Sequence, residues 1–388
     1  MVCREPAATD AYNSATMHNS KNKSFSLAVA GAALTVAVAG CSMFSNQPAP
    51  TPSPTGGPTA TTNISTETAT PSPTPQLVKS IVIVAQLGEP KDATAAGLAW
   101  SGVQTAAPKV GAKPTLVEPV SSTDFAKDLD SAAGADGTVV VTVGPDADAA
   151  VQVAAKAHPA AQFLELDVAV ADTAPANVHG LVFDEAEAGY LAGYIAAAFA
   201  KSGRVGMVGD TTTDVRSANY AAGLKAGASE FSGGAIVTVA YAGTADAPDK
   251  GRTAAAGLVK AGNTVVVAMP SLSGIGAMRQ ACGAKARLVA VDIDAAQIVP
   301  DVRQCVIVSV LKRYDTAVSA AIGSIAAGKQ LPRLSMNDVA GGGVALSDFH
   351  ADLPSGFQAS LDAVMVTLSQ RPTPSAVVES GPAPSPSA

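Results

Sequence analysis

Residues 138–167, TVVVTVGPDADAAVQVAAKAHPAAQFLELD, contain the unit that decides the fold. Two short apolar runs, Thr138–Val143 and Gln162–Asp167, flank a segment from about Ala149 to Ala157 that has the composition of a helix. Near-continuous apolar runs of this length are typical of parallel strands that helices cover on both faces. The stretch therefore predicts a β-α-β unit, the building block of an α/β fold.

The same alternation extends in both directions along the chain. Upstream, the pattern predicts a strand over Ser80–Leu87, a helix over Thr94–Ala107, a strand over Thr115–Glu118 and a helix capped by Ser122. Downstream, it predicts helices over Gly189–Lys201, Arg216–Phe231, Gly251–Ala261 and Asp315–Ala327, and strands over Val205–Gly209, Ile236–Tyr241, Thr264–Met269, Leu288–Asp292 and Val306–Leu311.

Two such series predict two lobes, each a parallel sheet flanked by helices. We expect lobe 1 over about residues 77–183 and lobe 2 over about 184–310, with C-terminal segments crossing back, so that residues 77–370 form one bilobal domain. Ligands of open α/β sheets bind at the carboxyl ends of the strands. The expected site is therefore the cleft between the lobes.

Composition and motifs exclude several functional classes. The chain has 388 residues and a net charge of -7, without the clustered basic residues of a nucleic-acid-binding surface. It lacks a Gly-x-Ser-x-Gly elbow and a phosphate-binding loop, and its four histidines are not paired at metal-ligand spacing. We therefore expect no catalysis, no cofactor, no metal and no nucleic-acid partner.

The N-terminal region has the pattern of an export signal. Lys21 and Lys23 precede an uncharged stretch, residues 24–40, that is too short for a comfortable membrane span. It ends in Val38-Ala39-Gly40-Cys41, which resembles a bacterial lipobox. Residues 1–40 are thus predicted to be a signal peptide, with Met17 as an alternative start, and Cys41 to carry the lipid that anchors the protein at the extracytoplasmic face of the cell membrane. An uncleaved anchor helix with Cys41 as an ordinary thiol is the alternative.

Two segments have the composition of disordered chain. Residues 46–76 consist mostly of Pro, Thr, Ser, Ala and Gly, so they cannot bury enough apolar surface to fold. We expect residues 41–76 to be the lipidated cysteine and a tether, and residues 371–388 to be a disordered tail.

Several short motifs resemble the basic membrane protein family, which comprises lipoprotein solute-binding components of transporters similar to a purine nucleoside receptor. The motifs are WSGV at 100–103, GYLAG at 189–193, GRVGMVG at 203–209, YAAGLKAG at 220–227, YAG at 241–243, DKG at 249–251, SGIG at 273–276, VDID at 291–294 and VSVLK at 308–312. The resemblance covers about residues 79–370. It implies a type I periplasmic-binding-protein fold, a nucleoside or related small polar ligand, and an ABC permease as partner.

The candidate ligand-binding residues follow from cleft chemistry and from this resemblance. Asp292 and Lys312 end neighbouring strands, and the resemblance implies that both contact ribose. The alternative is that the two form a structural ion pair or face solvent. Gly274 is expected to offer a backbone N–H to a ligand oxygen, or else to be a plain turn glycine. Asp92 and Asp167 are the candidates from the first lobe.

The chain departs from the family in the first loop. The family has an acidic residue and then a Phe-Asn pair that contacts the base, whereas alignment back from Trp100 puts Ala95-Ala96 there. Either Trp100 or Tyr220 supplies the aromatic ring that stacks on the base, or the ligand is not a purine nucleoside. A surface sensor or interaction module with a degraded cleft is accordingly the alternative function.

Cysteine usage predicts one disulfide. With Cys3 in the predicted signal peptide and Cys41 lipidated, Cys282 and Cys305 are left in an oxidising compartment, next to elements of the second lobe. We expect these two to be bonded, with two buried free thiols as the alternative.

Overall fold

The computed structural model describes residues 77–85 and 94–371. The predictions for the signal peptide, lipidated Cys41, the tether, residues 372–388 and Asp92 fall outside this part of the chain.

The described chain alternates strands and helices almost throughout. The strands are β1 Ser80–Val84, β2 Lys113–Val117, β3 Thr138–Val143, β4 Gln162–Leu166, β5 Val178–Phe183, β6 Arg204–Gly209, β7 Ile236–Tyr241, β8 Val265–Ala268, β9 Arg287–Asp292, β10 Val306–Lys312, β11 Leu334–Asn337 and β12 Val344–Leu346. The helices are α1 Ala95–Val110, α2 Ser122–Ala133, α3 Asp148–Ala157, α4 Glu185–Phe199, α5 Val215–Phe231, α6 Pro248–Lys260, α7 Leu272–Gly283, α8 Ala295–Ile298, α9 Tyr314–Ala326 and α10 Phe357–Ser369.

The strands form two six-stranded sheets with equivalent order, as the sequence predicts for a bilobal α/β fold. The first sheet runs β11-β5-β4-β3-β1-β2 and is parallel throughout. The second runs β12-β10-β9-β8-β6-β7 and is parallel except for β12, which pairs antiparallel with β10 at the edge. Position by position, β4 of the first sheet corresponds to β9 of the second.

The chain crosses between the lobes three times. The crossings follow β5, β10 and β11, so α9 and β11 return to the first lobe and β12 returns to the second. Helix α9 packs against α1, and its buried residues Tyr314, Val318 and Ile322 join the apolar cluster of β1 and β3. These crossings place the ends of β5 and β10 at the junction of the two lobes.

Small residues allow unusually close helix packing in the second lobe. A Cβ at Gly223 would overlap the carbonyl oxygen of Ala186, and one at Gly227 would overlap that of Tyr190. Helices α4 and α5 therefore meet backbone to backbone, which larger side chains would prevent. This packing explains how a chain with 4% aromatic residues builds a dense core.

The structure contains elements that the sequence did not predict, namely strands β5, β11 and β12 and helices α8 and α10. Strand β5 was not predicted, because His179 and Gly180 interrupt its apolar run; His179 is nevertheless buried, with its ring nitrogens 3.1 Å from the carbonyl oxygen of Pro332 and 3.1 Å from Gln162 Oε1. The prediction of Ser122 as a helix cap is wrong by one residue. Ser121 is the cap, and its Oγ accepts the Asp124 N–H at 3.1 Å.

The predicted disulfide is present. Cys282 at the end of α7 is bonded to Cys305, immediately before β10, with a Cα–Cα distance of 5.5 Å. Within residues 77–85 and 94–371, no helix has the length and apolar character needed to cross a bilayer.

Candidate ligand-binding cleft

A cavity of about 480 Å³ lies between the two lobes at the carboxyl ends of the strands. Its volume is within the usual range of small-molecule sites, about 300–1,000 Å³. The first lobe contributes Thr94, Ala95, Val143, Gly144, Pro145, Asp167 and Tyr314. The second lobe contributes Asp210, Asp214, Arg216, Ala245, Pro270, Ser271, Leu272, Ile275, Asp292, Ile293 and Ile298. The lining combines apolar walls with four carboxylates, a composition suited to a polar ligand that donates hydrogen bonds.

Asp167 and Asp292 occupy equivalent places in the two lobes. Asp167 follows β4 and Asp292 ends β9, and both have left-handed backbone conformations, with φ of 59° and 68°. Such φ values are uncommon for residues other than glycine, and strained backbone is concentrated at functional sites. Each lobe thus directs one aspartate to the cleft from the same position in its sheet.

Lys312 lies in an ion cluster where the lobes join. Its side chain is 0% exposed, and Nζ donates to Asp167 Oδ1 at 2.9 Å and to Glu185 Oε1 at 3.0 Å. Asp292 Oδ1 lies 3.9 Å from the same nitrogen. Burial lowers the pKa of Lys312, but the charges of these three carboxylates outweigh it, and the net pKa is raised. The lysine is therefore charged and lies among acidic groups of both lobes.

Asp292 retains one oxygen without a partner. Tyr220 donates its hydroxyl to Oδ1, whereas Oδ2 is buried and has no hydrogen-bond partner in the described part of the chain. Leaving a buried acceptor unsatisfied costs about 1–3 kcal/mol, and more for a charged group. Asp292 itself lines the cavity, so its carboxylate is a candidate acceptor for a ligand that donates hydrogen bonds.

Two buried tyrosines act as neutral donors to the aspartates. Tyr220 is bonded to Asp292, and the Tyr314 hydroxyl donates to Asp167 Oδ2 at 2.6 Å. Burial raises the pKa of both tyrosines well above the ordinary value, and the neighbouring carboxylates raise it further. Both hydroxyls therefore stay protonated at neutral pH and hold the aspartates in place.

Asp210 and Arg216 line the cavity but were missed by the sequence reasoning. Asp210 follows β6, and its Oδ1 accepts from Ser271 Oγ at 2.5 Å; burial raises its pKa. Arg216 is the second residue of α5, and its side chain is 40% exposed. The available signal was position alone, since Asp210 directly follows the carboxyl end of β6 and Arg216 lies in the first turn of the helix that comes next.

The other predicted site residues have structural contacts. The Gly274 N–H donates to Ser271 Oγ at 3.0 Å as part of the α7 cap, and a Cβ there would overlap Met269 O. Trp100 is half-buried against the first-lobe core and is not among the residues that line the cavity. Tyr220 is buried with its hydroxyl on Asp292. Ligand contacts for these residues stay predictions.

Two six-stranded α/β lobes joined by three crossings around a polar cleft define the architecture of two-lobed solute-binding proteins. A solute-binding protein of Conexibacter woesei superimposes with a TM-score of 0.61 at 22% identity, covering 76% of this chain and 99% of that one. One of Aeropyrum pernix gives a TM-score of 0.58 at 23% identity, covering 76% and 82%. At these identities the likeness shows the fold alone.

Sequence comparison identifies the family. The family model for PnrA-like ABC transporter substrate-binding proteins matches residues 79–353, and the chain belongs to this family. The nucleoside-binding protein BmpA of Lactococcus lactis is 29% identical over 187 residues, 47% of this chain and 52% of that protein. Basic membrane protein A of Borreliella burgdorferi is 28% identical over 184 residues, 47% and 54%. The matches thus span about half the length of these relatives.

Proposed function

We propose that this protein is the lipid-anchored, extracytoplasmic receptor of an ABC importer and that it binds a nucleoside or a closely related polar ligand between its lobes. Family membership supports a solute-binding role, and the name of the Lactococcus relative suggests the ligand class. The ligand closes the lobes by hinge motion, and the closed form is the one presented to the permease.

The observation that carries the proposal is the unpaired Oδ2 of Asp292. This oxygen is closed to solvent, but Asp292 lines a cavity of about 480 Å³, and a sugar hydroxyl that reaches it when the lobes move on ligand binding would supply the donor it lacks. Asp167 faces the same cavity from the opposite lobe, so a ligand with two or more hydroxyls can engage both walls.

The charge of the lining favours a nucleoside over a nucleotide. Four aspartates and one arginine line the cavity, so the described walls carry more negative than positive charge. A phosphate would add negative charge beside these carboxylates, which is unfavourable in a partly desolvated cleft. Neutral nucleosides are therefore expected to bind more tightly than their monophosphates.

Calorimetric titration of the full chain with inosine, uridine and their monophosphates tests this proposal. Asp292→Asn keeps the shape of the side chain but removes the charge, and we expect nucleoside affinity to fall at least tenfold, since hydrogen bonds to charged groups contribute about 1.5–3 kcal/mol. Asp362→Asn, at an exposed position on α10, is the matched control and should bind as wild type does. Unchanged affinity in Asp292→Asn would contradict the proposed site.

Membrane attachment through Cys41 is a separate part of the proposal. The lipobox-like Val38-Ala39-Gly40-Cys41 supports it, because diacylation of the cysteine gives stable anchoring. Cells expressing Cys41→Ala should release the protein into the soluble fraction and should not incorporate a palmitate analogue into it. Retention of label in this variant would show that the acylated residue is another one.

A non-transporting surface sensor is the second candidate. Two observations favour it: Ala95 lines the cavity at the position the family gives to a base-contacting pair, and Lys312 is already bound by Asp167 and Glu185. Small-angle scattering discriminates between the two. Compaction upon nucleoside addition supports the receptor, whereas an unchanged radius of gyration with every nucleoside supports the sensor.

A further inference from the structure

A second cavity lies in the first lobe, at the end of the sheet opposite the cleft. We call it the distal cavity; it is lined by the end of α3, the start of β4, the segment before β5 and the segment after α9. Its volume of about 470 Å³ is close to that of the cleft and within the usual range for small ligands. Gln162, the first residue of β4, is part of its wall, whereas the cleft lies beyond the other end of this strand.

The charged side chains of the distal cavity are all cationic. Lys156, in the last turn of α3, and Lys329, just after α9, line it, and no aspartate or glutamate does so among the described residues. Neither lysine forms an ion pair with another described residue. His179 also lines the cavity, and burial lowers its pKa, so its ring is neutral at neutral pH. The cavity therefore offers two positive charges without a counterion.

The helix ends at the distal cavity do not cancel these charges. Two helix C-termini, those of α3 and α9, lie there, and each carries about half a negative charge at most. The protein's own donors already occupy their carbonyl oxygens. Buried Asn177 has its Nδ2 within hydrogen-bond distance of three of them, those of Ala155, His158 and Ala161, at 3.2, 3.1 and 2.9 Å. After α9, the Lys329 N–H donates to Ser324 O at 3.0 Å.

The remaining wall of the distal cavity is partly apolar. Ile325 is buried, Leu331 is half-buried, and Pro159 and Pro175 line the cavity as well. A ligand that fits has an anionic group for the lysines and a small uncharged body for these side chains. Phosphate esters have this character, since the phosphate carries up to about two negative charges and lysine binds phosphate as a point charge.

The tether enters the first lobe at the same end of the sheet. Lys79 directly precedes β1, and its N–H donates to Gly137 O, just before β3, at 2.9 Å. The strand after β3 in the sheet is β4, which begins at Gln162. Two strand spacings, about 10 Å, thus separate the start of β1 from the start of β4. Lys113 is exposed beside Lys79, so this end presents further positive charge toward the side from which the tether comes.

We propose that the distal cavity is a second ligand-binding site, which takes a phosphate-bearing group with Lys156 and Lys329 as its counterions. The group comes either from the headgroup of an anionic phospholipid in the membrane below the tether or from a free phosphate ester. Both sources present the same chemistry to the two lysines. The site is independent of the ligand proposed for the cleft, where four aspartates disfavour phosphate.

Two probes distinguish the sources. The full chain carrying Cys41→Ala is used, so that no acyl chain contributes to membrane binding. Calorimetric titration with glycerol 3-phosphate measures the free ester. Cosedimentation with phosphatidylglycerol vesicles, against phosphatidylcholine vesicles as the neutral reference, measures the lipid at an ionic strength of about 0.15 M.

Two variants test the distal cavity itself. Lys156→Gln combined with Lys329→Gln should weaken binding about 25-fold, because each lysine near an anionic surface contributes about 1 kcal/mol, or about fivefold. Ala176→Trp, at an exposed position in the lining, fills the cavity without changing any charge and should also abolish most of the binding. The matched control is Lys225→Gln combined with Lys250→Gln, two exposed lysines of the second lobe, which should bind as the parent chain does.

Each outcome decides the proposal. Binding of either probe that is lost in both distal-cavity variants and kept in the control supports the site and identifies the source of the phosphate. Equal loss in the control would mean that overall charge attracts the probe and would overturn the site. Normal binding by Ala176→Trp would overturn it as well, because the attraction would then need no cavity. A parent chain that binds neither probe would also overturn it.

Two readouts keep this test separate from folding and from the cleft. Thermal unfolding of each variant verifies that it is folded. Inosine titration of the same variants should give the affinity of the parent chain, because the distal cavity lies at the other end of the first lobe. Loss of nucleoside binding in the parent chain would refute the proposed function and leave the phosphate measurements valid.

Discussion

Glu165 gives the chain a pH-dependent stability that can be measured directly. It is 0% exposed on β4, and neither carboxylate oxygen has a hydrogen-bond partner in the described part of the chain. Burial, and then the nearby charge and carboxyl group of Asp148, raise the pKa of Glu165 from 4.5 to about 8. The folded protein therefore holds a proton on Glu165 at a pH where the unfolded chain has lost it.

The sign of the effect follows from proton linkage. Because the folded state binds the extra proton, the free energy of unfolding falls as pH rises above 4.5, and the fall ends once pH exceeds the folded-state pKa of about 8. Between about pH 5 and pH 8, this single group should remove on the order of 3 kcal/mol of stability.

Glu165→Gln replaces the carboxyl by a neutral amide of nearly the same shape. Urea denaturation at pH 5, 7 and 8.5 should show that the variant gains stability relative to wild type as pH rises, by on the order of 3 kcal/mol in the free energy of unfolding. Glu230→Gln, at an exposed position on α5, is the control and should follow the wild-type curve. A constant difference between Glu165→Gln and wild type across this pH range would refute the reasoning.

Two further substitutions test the packing of the second lobe. Gly223→Ala places a methyl group against the carbonyl of Ala186 and should destabilise the protein by about 1–3 kcal/mol in urea denaturation. Gly257→Ala, at an exposed position on α6 with no atom near the added Cβ, should instead stabilise the protein by up to about 1 kcal/mol. Equal effects of the two substitutions would contradict the close approach of α4 and α5. Replacing Cys282 and Cys305 together by alanine should lower the free energy of unfolding by about 3 kcal/mol, because the disulfide closes a loop between residues 23 apart. Wild-type protein under reducing conditions should then unfold at the same urea concentration as this double variant.

Much of the fold could be predicted because parallel strands leave a simple pattern. Runs such as Thr138–Val143 are buried on both faces, so every residue is apolar or small, and the helices between them are rich in alanine. Strand β5 was missed because its polar residue, His179, is satisfied by partners far along the chain that no local pattern reveals.

The site was only partly predictable, for a related reason. The positions of Asp167 and Asp292 follow from strand ends, since the carboxyl ends of parallel strands meet at one edge. The internal bonding of Lys312 depends on Glu185 at the β5-to-α4 crossing, and the contact of Arg216 with Asp167 depends on how the two lobes face each other. Neither relation is present in any single segment of sequence.

The equivalent strand order of the two sheets has a consequence for how ligand preference changes during evolution. The two walls of the cleft are encoded by separate stretches of chain, so mutations can redesign one wall while the other keeps its hydrogen-bonding groups. In this protein the first wall has Ala95 beside Asp167, whereas the second has Asp210, Arg216 and Asp292. Descendants of one ancestor can in this way keep the ligand contacts of one wall and diverge in those of the other.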